Sequence, residues 1–150
     1  MPSMRVDCDT LDREPIAVER IRVEGDRIVF DVRVRAPHAH RTSPALAARA
    51  LERRPDLARH ACVNARGSTF GAVMDDTPLP HLLEHVAIDF LVEESDEAAA
   101  TYVGTSRWTD ERRGAARVEL SMDDDLATLR AFKRALSFVN DLVRDVAPAS

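Results

Sequence analysis

The chain has 150 residues, 45% of them hydrophobic and 31% charged, with a formal net charge of -5. That is the length of one domain, enough to bury roughly two-thirds of the surface an unfolded chain exposes, and its composition excludes collagen-like, low-complexity and globally disordered classes. Twenty of the 21 cations are arginines, scattered without a dense patch or interleaved aromatics, which argues against a nucleic-acid partner.

No apolar run reaches the roughly 18 residues that a membrane span needs. The first ten residues, MPSMRVDCDT, lack the apolar core of a secretory signal. The expectation is a single cytoplasmic domain over 1–150, with mobile ends at 1–14 and 147–150 and no membrane partner. Only Cys8 and Cys62 are present. In a reducing compartment such thiols stay free and serve as inert side chains, ligands or nucleophiles.

Ile16–Glu24 and Arg27–Arg35 each alternate apolar and charged residues around Gly25-Asp26, the pattern of a β-hairpin with one buried face. In the first run the apolar set is Ala17, Val18, Ile21 and Val23. Ser43-Pro44 is a helix start, a capping hydroxyl followed by proline at the first position, and Ala45–Arg54 follows as a short helix. Asp56–Ala65 reads as a continuing helical turn and Asn64–Asp76 as a loop. Thr77-Pro78 repeats the Ser-Pro type of start before a helix over Leu79–Glu94. Ala99–Arg107 reads as a strand, Asp110–Gly114 as a charged turn, and Ala115–Met122 alternates again. Asp123–Asp125 cap a long amphipathic helix, Leu126–Val146, whose apolar residues from Leu126 to Val146 recur every three or four positions. The order hairpin, helices, hairpin, helix predicts an α+β fold, a four-stranded, mainly antiparallel sheet with helices packed on one face.

One motif carries chemistry. His81-Leu82-Leu83-Glu84-His85 puts two imidazoles one helical turn apart with a carboxylate beside them. Positions 81, 84, 85, 88 and 92 fall on one stripe, while Leu82, Leu83, Val86, Ala87 and Phe90 cover the opposite side. A helix apolar on most sides is buried, and buried His and Glu need partners. A metal ion is a compact way to satisfy all three, the alternative being a solvated or merely hydrogen-bonded cluster. The His-x-x-Glu-His order belongs to zinc hydrolases, in which the imidazoles hold the ion and the carboxylate takes a proton from water.

A catalytic zinc needs a third protein ligand and an open position. Cys62, nineteen residues before His81, is the favoured third ligand, since a thiolate suits zinc. His60, Asp75, Asp76 and Glu119 remain alternatives, and a small buried hydrophobe is the ordinary fate of a free Cys. The ion is expected as Zn2+, one per chain. Asp89, one turn after His85, is placed to accept its other ring N–H, and His60 is expected with it among the residues that support the ligands. Arg107, at the end of Gly104-Thr105-Ser106-Arg107, is placed to hold a substrate carboxylate or steady a carbonyl oxygen. Cys8 carries no assigned role, and the loop pair His38 and His40 is weak as a metal site.

His60-Ala61-Cys62, the Gly67–Gly71 loop, His81–Asp89, Gly104–Arg107 and the last helix follow one another as in one family. Over about Thr42 to Val146 the chain resembles the amino-terminal domain of cyanophycin synthetase. The resemblance implies a metallohydrolase that cuts β-aspartyl-arginine polymer into primers, with Cys62, His81 and His85 as metal ligands, Glu84 as base and Arg107 at the substrate. Ser106 stands where the family usually has Thr. The chain carries neither an ATP-grasp nor a Mur-ligase-like domain, so the resemblance implies a stand-alone front domain that makes no polymer. S-ribosylhomocysteine lyase is similar in using two His and a Cys around a His-x-x-Glu-His helix, but its Cys follows the helix. The expected activity is zinc-dependent hydrolysis of an isopeptide-like bond in a peptide or isopeptide substrate. The alternatives are a non-catalytic domain that binds polymer or a partner, and a metal-dependent lyase or isomerase on a small carbonyl compound. A homodimer stays open.

Overall fold

A computed structural model describes residues 14–95, 102–121 and 123–146. The first hairpin joins β1 (Ile16–Glu24) and β2 (Arg27–Val34) across Gly25, whose φ of 63° is open to glycine without steric cost. Five residues of β2 are buried, and the face of Ile28, Phe30, Val32 and Val34 looks into the core. The β1 register shifts between Val18 and Arg20. Such a bulge moves the inward parity from even to odd numbers, so Ile16 and Val18 oppose Val34 and Val32, while Ile21 and Val23 oppose Phe30 and Ile28. Ile21 and Val23 remain 49% and 59% exposed. Ala17, by contrast, lies opposite Arg33, on the outer face.

The second hairpin joins β5 (Gly104–Asp110) and β6 (Ala115–Ser121). Its strands are antiparallel, and β2 pairs antiparallel with β6, giving the sheet order β1-β2-β6-β5. The expected third strand is thus shifted toward the turn. Residues 99–101 lie outside the described set, and the strand begins at Gly104 and runs through Asp110 into a 3-10 turn at Glu111–Arg113. Gly114, at φ 73°, closes that turn. There its main chain packs so tightly on the Val34 carbonyl that a Cβ would lie 2.2 Å from the oxygen.

Three helices cover one face of the sheet. α1 (Pro44–Arg53) starts where Ser43 Oγ accepts the Leu46 N–H at 3.2 Å. α2 (Leu79–Glu94) is the central helix, with most of its residues buried. α3 (Asp125–Val146) begins with Asp124 accepting the N–H groups of Leu126 and Ala127, as the acidic run predicts. Its stripe packs inward through Phe132, Val139, Leu142 and Val143, whereas Leu126, counted in that stripe from the sequence, is exposed in the first turn. Phe132 stacks on Phe30 with ring centroids 3.6 Å apart. Asn140, buried on α3, bonds both the N–H and the carbonyl of Ile16 and so ties β1 to the helix layer. Burying an amide this way is stable only because both of its ends are satisfied.

Between α1 and α2 the chain departs from expectation. The segment Asp56–Ala65 is not one helical turn and Asn64–Asp76 is not a plain loop. A 3-10 turn at Pro55–Arg59 leads into β3 (Ala61–Asn64) and β4 (Gly67–Thr69), a small second sheet, and another 3-10 turn at Phe70–Ala72. The Asn64 side chain holds this hairpin, donating to the carbonyls of Cys62 and Thr69 and accepting from Arg66 and Gly67 N–H. At the amino end the described residues start at Glu14, which pairs with Arg144 at 2.6 Å rather than hanging free. Cys8 and residues 147–150 lie outside the described set. Among the described residues no helix is long and apolar enough to cross a membrane.

Candidate metal centre

Three elements bring the centre together. α2 presents His81, Glu84 and His85 from its first two turns, and β3 presents Cys62. The 3-10 turn at Phe70–Ala72 presses Phe70 against both imidazoles. Phe70 is fully buried and stacks on His85 with centroids 4.1 Å apart, and its edge meets His81 at 5.0 Å. Gly71 makes this approach possible, since a Cβ there would lie 2.7 Å from the Ala58 carbonyl oxygen.

Cys62, His81 and His85 each offer one ligand atom, and the three atoms lie within 4.8 Å of one another. The Cys62 Sγ is 3.5 Å from His81 Nε2. A tetrahedral zinc with sulfur at about 2.3 Å and nitrogen at about 2.0 Å separates those two ligands by about 3.5 Å. The residues present therefore fit a borderline metal such as zinc in both donor type and spacing. Of the alternative third ligands, Asp75 and Asp76 are half-exposed and pair with Arg66 and Arg41, and Glu119 pairs with Arg27 on the sheet.

The hydrogen bonds around the imidazoles select their lone-pair nitrogens. Thr77 was expected to cap α2, but the helix begins after Pro78 with no side-chain cap, and Thr77 Oγ1 instead lies 2.8 Å from His81 Nδ1. Donation from that ring N–H leaves Nε2 bare toward Cys62. Asp89 does not touch His85 directly. His60 stands between them, with Nε2 3.0 Å from Asp89 Oδ1 and Nδ1 3.2 Å from His85 Nδ1. The carboxylate only accepts, so His60 Nε2 donates, its Nδ1 accepts from His85 Nδ1, and His85 Nε2 keeps its lone pair. Arg54 completes the chain by donating to Asp89 Oδ2 at 2.6 Å. This is the usual way a protein fixes the tautomer of a metal-binding His.

Burial shapes the charges. It pushes the His85 imidazole down to about 3, with its neighbours His81 and His60 adding to the effect, and it lowers His81 as well. Both rings are therefore neutral at physiological pH, the form that binds metal. Burial also pushes the Glu84 carboxyl up to about 7, against a hydrogen bond from Ser106 and the nearby His60, which pull it down. For Asp89, burial works upward too, but the hydrogen bonds from His60 and Arg54 outweigh it and hold the carboxyl below its ordinary value.

Glu84 Oε2 is 3.9 Å from His85 Nε2, so the carboxylate sits beside the ligand cluster. The centre forms the floor of a cleft of about 600 Å³, walled by β3 on one side and β5 on the other. Arg107 lines it from β5, is exposed, and makes no ion pair among the described residues. His38 and His40 are not among the residues that line it, although the His40 ring packs near Trp108, which does. Sequence reasoning missed Phe70, Thr77, Ser106 and Arg54. Of these, Thr77 carried a local signal, standing one helical turn before His81, and Ser106 stood inside the Gly104–Arg107 element without its bond to Glu84 being foreseen.

The chain matches the family described as cyanophycin synthase-like N-terminal domain over residues 27–144. No curated protein matches it. The match spans β2, the second hairpin, the Cys62 hairpin, the His-x-x-Glu-His helix and nearly all of α3, and the chain belongs to the family of cyanophycin synthase-like N-terminal domains.

Proposed function

We propose that the protein is a zinc-dependent hydrolase of amide bonds, acting on an isopeptide-containing substrate such as β-aspartyl-arginine peptides. The observation that carries this reading is the convergence of Cys62, His81 and His85 within 4.8 Å next to a buried carboxylate at the floor of an open cleft. Cys62, His81 and His85 would hold one ion. Zinc, when bound, supplies a Lewis acid that polarises a carbonyl and makes water nucleophilic at neutral pH.

Glu84 takes a proton from the attacking water and returns it to the leaving amine. Its placement favours both halves of that duty, because a carboxyl 5% exposed holds its proton more tightly than one in water. Ser106, through its hydrogen bond, keeps the carboxylate oriented toward the cleft. Arg107 binds a substrate carboxylate or steadies the oxygen that gains charge. Phe70 and the surrounding apolar walls keep water away from the imidazoles. The His60–Asp89–Arg54 chain holds the His85 ring in place.

The test is cleavage of β-aspartyl-arginine peptides and a panel of other isopeptides by zinc-loaded protein, with zinc content measured in the same samples. Amine release that disappears with chelator and returns with zinc supports the reading. Full zinc occupancy with no cleavage across the panel favours a binding domain instead.

A further inference from the structure

Among the described residues β5 is the last strand of the sheet, paired with β6 on one side only. Five consecutive residues of it, Gly104 to Trp108, line the cleft. A strand seen face-on contributes every second residue, so consecutive lining means that the edge of β5 forms the wall. Its main-chain polarity follows from the ladder. Ser121 donates its N–H to the Val103 carbonyl at 2.8 Å. Partners of this kind recur at every second residue of an antiparallel ladder, so Thr105 and Arg107 turn their main-chain groups toward Glu119 and Arg117 of β6. The N–H and C=O groups of Gly104, Ser106 and Trp108 then point to the open edge.

The candidate general base lies against the inner face of that same strand. A Cβ on Gly104 would lie 2.9 Å from Glu84 Cγ and 3.1 Å from Glu84 Oε2, so the backbone of β5 rests against Glu84. Across the cleft, Ala61, Cys62 and Val63 of β3 also line it consecutively, and Val63 is 99% exposed. Open strand edges are costly and are ordinarily blunted or covered.

We propose that the open edge of β5 takes the substrate as an added strand, so that the site recognises an extended peptide main chain and draws it past Glu84 and the Cys62–His81–His85 cluster. Main-chain pairing supplies affinity that tolerates different side chains, and it sets the register in which one bond of the ligand reaches the base. This inference rests on the hydrolase reading and adds to it how the substrate is held.

Trp108 is the only Trp in the chain and lines the cleft, so its fluorescence reports occupancy. The probe is a blocked β-aspartyl-arginine tetramer with an α-linked aspartate main chain, together with a series carrying a single N-methyl group at each main-chain amide in turn. Binding is measured to zinc-loaded Glu84→Gln protein, and cleavage is measured with the parent. Strand pairing predicts alternation, with N-methylation at every second amide weakening binding about tenfold and the intervening positions near neutral. Binding that is indifferent to N-methylation, or equally sensitive everywhere, overturns the inference while cleavage by the parent leaves the hydrolase reading intact. Alternating binding with no cleavage by the parent keeps the edge-pairing inference and overturns hydrolysis. Zinc-loaded protein that neither binds nor cleaves the tetramer overturns both.

Discussion

Replacing Glu84 by Gln tests the site through stability as well as activity. In the metal-free protein the folded-state carboxyl titrates near 7 instead of its ordinary value of 4.5, because burial disfavours the charge. The unfolded chain therefore gives up this proton at a lower pH than the folded one. The contribution of Glu84 to stability is lost as pH rises from about 4.5 to 7, and the loss is complete above that range. The rise corresponds to about 3 kcal/mol, taken as an order of magnitude. Gln is nearly isosteric, can still accept from Ser106, and carries no charge at any pH. The Gln variant should therefore gain on the parent by about 3 kcal/mol between pH 4.5 and pH 8. For a domain of this length that is a relative shift in Tm of roughly 6–12 °C. The assay is thermal unfolding of both proteins at the two pH values with chelator present. His85 also titrates abnormally, but it does so in both proteins and cancels in the comparison. A Tm difference independent of pH would refute the claim that Glu84 is a desolvated carboxyl. With zinc restored, the same variant should keep its metal and lose about 10²–10⁴-fold in hydrolysis.

Cys62→Ala should abolish tight zinc binding and leave the circular dichroism of the folded chain unchanged, because the core is built from the sheet and α2–α3. Cys8→Ala should leave zinc content alone. Asp89→Asn should weaken zinc affinity by about 10–100-fold without removing a ligand, since it breaks the chain that orients His60 and His85; competition with a chromophoric chelator measures it. In the metal-free Glu84→Gln protein, where the opposing titration of the carboxyl is gone, stability should fall as pH drops from about 6.5 toward 3. In that window the unfolded His85 binds a proton and the folded one, held near 3, does not. Denaturant midpoints at pH 7 and pH 5 read this directly.

The first hairpin, β6 and α3 were legible because their periods of two and 3.6 run for seven or more residues, whereas β5, Gly104–Asp110, has no apolar alternation and was expected several residues too early. The bulge in β1 was visible in retrospect, since Val18 and Ile21 are apolar at opposite parities. β3 and β4 have four and three residues, too few for a period to show, and the Asn64 side chain that ties them together has no pattern to announce it. The ligand helix was legible from the spacing of His81, Glu84 and His85, and Cys62 from its place before that helix. The path from Asp89 to His85 was not, because it runs through His60 on a different segment, 25 residues from His85. Thr77 was misread because a hydroxyl before proline signals a cap as readily as a bond to a His one turn on. Arg54, which anchors Asp89 from the end of α1, has no local sequence signature at all.

The central claim is that Cys62, His81 and His85 together hold one zinc. X-ray absorption at the zinc edge, on protein purified without added metal or chelator and with its zinc content determined, tests it most directly. The account predicts about one zinc per chain, one sulfur near 2.3 Å and nitrogen or oxygen neighbours near 2.0 Å, with the sulfur shell absent from Cys62→Ala. Protein that takes up no zinc, or a bound zinc with no sulfur neighbour, would contradict it.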